Sequence, residues 1–200
     1  MKLYYAPGAC SLAAHIALQE ANLAFEAVRV DLKAKKTASG ADFAAINPKG
    51  YVPALELDGG QVLTENVAVL SWINDQGSGG AIEAKAGPLA AYRRIEALAY
   101  ISTEIHKAFK PFFSGGGEAE KAGARDTLAK RFAYLEDRLK TDFLFGADPG
   151  VADDYLFVML IWARKLGLPV PARLSAFFDR MQTRPAVMRA LAAEAEAVPA

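Results

Sequence analysis

The pattern of the chain changes once and does not change back. Up to about residue 75, short apolar runs of strand type alternate with helical spacing: KLYYA, then CSLAAHIALQEA, then FEAVRVDL. A polar loop follows, then VPALEL, the turn Asp58-Gly59-Gly60, QVLT, and a helix from about Glu65 to Asp75. After the Gly/Ser-rich break QGSGGA at 76–81, no alternating pattern returns and helical spacing runs to the end. A chain built this way cannot form one continuous sheet. It divides into an α/β part at 1–78 and an all-helical part at 86–200.

Within the first part, strands separated by a helix call for a parallel pair, and the Asp-Gly-Gly turn adds an antiparallel edge. The expected sheet is mixed, with helices on its faces, in the thioredoxin-like order. In the second part, PLAAYRRIEALAYISTEIHKAFKPF and EAEKAGARDTLAKRFAYLEDRLK read as long helices, with shorter ones near 171–183 and 185–195. The most apolar run, YLFVMLIWA at 155–163, is flanked by Asp153-Asp154 and Arg164-Lys165. It has about half of the ~20 residues that a membrane span needs, so it is expected to be a core helix.

Charge and cysteine usage exclude several function classes. With 23 acidic and 23 basic side chains the formal net charge is zero, which gives no general attraction for nucleic acid. A single cysteine, Cys10, excludes an internal disulfide and a multi-cysteine metal cluster. No metal is expected, and the composition suits a reducing compartment, with cytoplasm as the default. Pro7 and Gly8 interrupt the N-terminus before a stretch of signal-peptide length can accumulate, so residue 1 is read as the start of mature protein.

Cys10 falls where the first strand passes into the first helix. Helix-start N–H groups lack intrahelical partners there and the helix dipole favours an anion, so a lowered thiol pKa is expected. The structural alternative is a small buried hydrophobe. Without a CxxC, any redox chemistry needs a second thiol from elsewhere. In NPKGYVPALEL, Val52-Pro53 opens a strand; a cis bond would turn the Val52 N–H and C=O toward an extended peptide, while Pro by itself favours an ordinary trans bond. In LTENVAVL, Thr64, Glu65 and Asn66 start the third helix. They could take the carboxylate and ammonium of an amino-acid head group, or Thr64 could simply cap the helix. His15, one helical turn after Ser11, has no acidic orienter in view and reads as helix packing.

Together, YYAPGACSLAAHIAL, NPKGYVPALEL, LTENVAVL, YISTEIHKAF and GVADDYLFVML resemble, in order and spacing, the bacterial beta-class glutathione transferases. The resemblance spans nearly the whole chain. It implies a thioredoxin-like domain that holds glutathione as co-substrate, a helical domain that completes the electrophile site and makes dimer contacts, and a homodimer with no membrane or nucleic-acid partner. It places Cys10 and the Ala9 backbone beside the glutathione sulfur, Val52 and cis-Pro53 along the cysteinyl backbone, and Glu65 and Asn66 at the γ-glutamyl head. Leu32, Lys35 and Tyr51 would face the glycine end. Thr103 and Glu104 would reach the partner's site, and His106 and Lys107 would line the second-substrate side. Tyr4, Tyr5 and Ser11 would stand behind these. Two positions depart from the family pattern: Ala99, where the family often has Asn, and Gly150, where a Ser or Thr usually precedes the helix whose capping Asp is Asp153. The activity implied is addition of the glutathione thiolate to an electrophile. The alternative from another class is a non-catalytic binding module on the same fold.

Overall fold

The computed structural model describes residues 1–79 and 86–196. Part of the Gly/Ser break, and with it most of the stretch between the two expected domains, lies outside the described residues.

Five strands form one sheet: β1 (Lys2–Tyr5), β2 (Glu26–Asp31), β3 (Lys36–Thr37), β4 (Ala54–Glu56) and β5 (Val62–Thr64), in the order β3-β2-β1-β4-β5. Strands β1 and β2 are parallel because helix α1 (Leu12–Glu20) carries the chain back between them; the other three pairs are antiparallel. The β4–β5 hairpin turns at Gly59 and Gly60, whose φ values of 100° and 82° lie in the region that disfavours a side chain. Because β1 is central, its side chains are buried on both faces. Leu3 and Tyr5 enter the main core, while Tyr4 joins Val30, Phe43, Val52 and Ala54 in a smaller one. Phe43 belongs to a short helix, α2 (Phe43–Ile46), capped by the Asp42 side chain. Sequence reading gave this stretch and β3 as polar loop. Both are too short for periodicity to register.

Helix α3 (Asn66–Gln76) closes the N-terminal domain, and the regular elements among the described residues of the C-terminal domain are helices, apart from one isolated bridge between Phe143 and Gly146. It comprises α4 (Ala90–Tyr100), α5 (Lys110–Phe113), α6 (Glu118–Arg138), α7 (Val151–Lys165), α8 (Ala172–Gln182) and α9 (Pro185–Glu196). Helix α7 is the predicted core helix: it is buried on nearly every side and packs on α1. No helix among the described residues is long and apolar enough to cross a membrane.

The long helix expected from residue 88 to 112 is instead broken after Tyr100 into a π turn, Ile101–Ile105, and a 3-10 turn, His106–Phe109. Ile101, Ile105 and Phe109 are all fully buried and spaced by four. On a regular helix each such step drifts by about 40°, and the wider π turn offsets the drift from Ile101 to Ile105. The same irregularity presents His106 to the N-terminal domain.

Candidate active site

The loop from Pro7 to Cys10 runs between β1 and α1 and is held from the C-terminal domain. Gly8, at φ 68°, donates its N–H to Glu194 (2.8 Å), and its carbonyl accepts from Trp162 Nε1 (2.9 Å). The other Glu194 oxygen meets His15 Nδ1 at 3.1 Å, with both side chains buried. His15 therefore does have an acidic partner, one that lies 179 positions away in sequence. Ser11 turns from His15 to the Ala6 backbone instead, so the two form no nucleophile pair.

This loop places the Cys10 thiol under Val52, whose carbonyl accepts from Sγ at 3.4 Å. The Val52–Pro53 peptide is cis, as the resemblance implied and Pro by itself did not. The Val52 N–H has no hydrogen-bond partner among the described residues. Asn66 Nδ2 donates to the Cys10 carbonyl (3.0 Å), and Asn66 Oδ1 is buried with no partner. Burial pushes the Cys10 thiol up to about 12, outweighing the lowering effect of the Cys10 and Ser11 N–H groups. The lowered pKa expected from the helix start is thus overturned. Desolvation by burial, with the Glu65 charge adding to it, exceeds what the helix end supplies, and the resting group is a neutral thiol.

Glu65 stands at the mouth with a φ of 71°, a conformation that costs a residue with a side chain about 1–3 kcal/mol and is found where surrounding structure enforces it. Its carboxylate pairs with Lys49 and accepts from Tyr51 Oη (2.8 Å), and these two hydrogen bonds hold its pKa below the usual range. Thr64 does not cap α3; its hydroxyl accepts from Lys49 (3.0 Å).

The far wall comes from the C-terminal domain. His106 Nδ1 lies 2.6 Å from the Tyr155 hydroxyl, and its ring stands edge-on to Trp162. Burial lowers the His106 pKa and raises that of Tyr155, so both are neutral near pH 7. A phenol O–H is the stronger donor and an unprotonated imidazole nitrogen the stronger acceptor, so Tyr155 donates to Nδ1. The His106 proton is thereby assigned to Nε2.

Two adjoining clefts result. One, of about 370 Å³, is lined by Cys10, Tyr51, Val52, Pro53, Glu65 and Asn66 on one side and by Ser102, His106, Lys107, Lys110, Phe113 and Tyr155 on the other. The second, about 550 Å³ and more apolar, shares Cys10, Tyr51, Val52, His106 and Phe113 and adds Ala9, Leu32, Trp162 and the Ala6–Gly8 loop. Ten expected site residues therefore meet here. Three do not: Lys35 donates to the Gly50 carbonyl, Thr103 to the Ala99 carbonyl (3.0 Å), and Glu104 pairs with Arg131 (2.6 Å). Tyr4 and Tyr5 line neither cleft; Tyr4 donates to Glu56 (2.6 Å) and Tyr5 packs on His15. Sequence reading missed Tyr155, Trp162, Ser102 and Lys49. The first two sit in the apolar run, where a phenol and an indole N–H were the available signal, since such groups find a partner when buried.

The sequence matches the family models for the glutathione S-transferase N-terminal domain over residues 1–75 and the glutathione S-transferase C-terminal domain over residues 118–193. The chain belongs to the glutathione S-transferase family. It is 43% identical over 198 residues to glutathione S-transferase GstA of Escherichia coli O157:H7, covering 97% of this chain and 98% of that one. A sphingomonad glutathione S-transferase solved in complex with glutathione superposes with a TM-score of 0.91 at 43% identity, covering 98% of this chain and 100% of the other. A bacterial beta-class glutathione S-transferase from Sphingomonas chungbukensis gives 0.87 at 42%, covering 97% and 98%. The transferase described here sits with that class, and its α/β and helical domains have the fold of these relatives.

Proposed function

We propose that the enzyme binds glutathione in the first cleft and adds its sulfur to a small electrophile held in the second. The observation that carries this reading is the convergence of Cys10, the Val52–cis-Pro53 edge and the Glu65–Asn66 helix start with His106 of the other domain around one cleft. The Val52 N–H is available to pair with the cysteinyl backbone of the peptide, and Glu65 and Asn66 would receive its γ-glutamyl head. Ala9, Leu32 and Tyr51 border the sulfur and glycine ends. Lys35 would reach the glycine end by leaving the Gly50 carbonyl. Cys10, as a neutral thiol, would turn its one proton from the Val52 carbonyl to the glutathione thiolate, and this removes the repulsion that two thiolates would suffer. The thiolate forms the carbon–sulfur bond, the leaving group departs with its electron pair, and His106 Nε2–H stabilises the charge that develops on the electrophile.

We further propose a homodimer acting in the cytoplasm. Leu89, Tyr92 and Ile95, at and within α4, are 60%, 68% and 42% exposed, an apolar stripe suited to a second copy. One helical face continues from Tyr92 through Ala99 to Thr103, which would lead Thr103 and Glu104 toward the partner's cleft. Residues 1–78 are assigned to glutathione binding and 86–200 to the electrophile site and dimer contact.

Incubation with glutathione and a chlorodinitrobenzene tests the reading by the absorbance of the thioether. Glutathione at a hundred times its Kd should also stabilise the protein by about 2.7 kcal/mol. A melting temperature unaltered by millimolar glutathione, with no conversion, refutes it. Stabilisation without turnover would instead identify a binding module.

A further inference from the structure

The charges around the first cleft do not balance. Glu65 is its only acidic residue, and Lys49 already pairs with that carboxylate. Lys107 and Lys110 line the same cleft, and neither has an ion-pair partner among the described residues. In a chain of zero net charge this is a local concentration of positive charge at the mouth of a largely apolar site.

One of these lysines, Lys110, lines the first cleft together with His106 and Phe113, the residues that also line the second. His106 and Phe113 line both clefts, and Phe113, 59% exposed, meets Trp162 edge-on with ring centres 4.9 Å apart. An aromatic ring resting on Phe113 and Trp162 would thus border the part of the first cleft that Lys107 and Lys110 line.

We propose that Lys110, supported by Lys107, makes the enzyme selective for aromatic electrophiles that carry a carboxylate. This rests on the conjugation reading above and names the substrate class of the same site. In the reaction the glutathione thiolate bonds to the ring carbon that bears a halide. The halide leaves with the electron pair of the broken bond, and the proton lost earlier by the glutathione thiol passes to water.

The test compares two rings that differ only in a carboxylate para to the halide, 4-chloro-3,5-dinitrobenzoate and 1-chloro-2,6-dinitrobenzene, at saturating glutathione. In Lys110→Gln the ratio of kcat/KM for the benzoate to that for the neutral ring is expected to fall about tenfold, the scale of one lost charge-assisted contact. It should fall further in Lys110→Glu and stay within about twofold of the parent in Lys110→Arg, whose charge is kept. Added salt should lower the parent's ratio as well. Equal loss for both rings overturns the proposal, as does, in a second series with glutathione varied, a change confined to the KM for glutathione, which would assign the lysines to the peptide's own carboxylates. Conversion of neither ring by the parent overturns the conjugation reading and this proposal with it, whereas conversion of both with no effect of Lys110 overturns this proposal alone.

Discussion

Replacing Asp153 by alanine tests how the core helix is tied to the loop before it. Asp153 is fully buried at the third position of α7, and each of its oxygens accepts a different backbone N–H, from Leu144 (2.8 Å) and Gly150 (2.9 Å). Alanine leaves both donors without a partner. Each then costs about 1–2 kcal/mol in a part-buried setting, for a gross loss of about 2–4 kcal/mol. Against this, burial holds the carboxyl up to about 7, so its removal relieves some desolvation, and a net loss of about 2 kcal/mol is expected. For a chain of this length that lowers Tm by about 4–8 °C. Asparagine, with one acceptor, should fall between alanine and the parent. Gly150→Ser works in the opposite direction: the added Cβ meets nothing nearer than Asp153 Oδ2 at 4.0 Å, and the extended backbone there suits any residue. A serine cap in place of glycine is worth a few tenths of a kcal/mol, or about 1 °C. Thermal unfolding of all four proteins at one concentration and pH decides the matter. A Tm for Asp153→Ala within 1 °C of the parent, on the scale of about 2–4 °C per kcal/mol, would refute the reasoning.

Three further outcomes are expected. Because burial holds the Cys10 thiol up to about 12, its alkylation by iodoacetamide, followed by intact mass, should climb about tenfold per pH unit from 7 to 10; a plateau near neutrality would mean a stabilised thiolate. Tyr155→Phe removes the hydroxyl 2.6 Å from His106, so kcat is expected to fall about tenfold with little change in the KM for glutathione, the effect of about one hydrogen bond. An unaltered kcat would release Tyr155 from any positioning role. Tyr92→Glu, at a site 68% exposed on α4, should shift the protein toward monomer in sedimentation velocity, and an unshifted profile would remove that face from the dimer contact.

Features fixed by nearby residues could be read directly from the chain. Alternation and a single helical insertion gave the parallel pair, Asp58-Gly59-Gly60 gave the hairpin, and the apolar run gave the core helix that became α7. The position of Cys10 at a strand-to-helix junction was equally legible, as was the acidic half of the α7 cap, because both depend on residues within a few positions of each other. The state of the thiol was not. A helix end is a local signal and argues for an anion, but desolvation sums over every atom brought near Sγ, and those include the Val52 carbonyl, 42 positions away in sequence. Tyr155 was hidden for a related reason: its meaning lies in a hydrogen bond to a residue 49 positions earlier, presented by a π turn that no sequence period announces. Glu194, near the end of the described chain, reaches Gly8 and His15 near its beginning. The sequence by itself determined which elements form and which side chains are available to the chemistry. Tertiary structure decided their charge states and partners, because burial and long-range hydrogen bonds exist only once the two domains have packed.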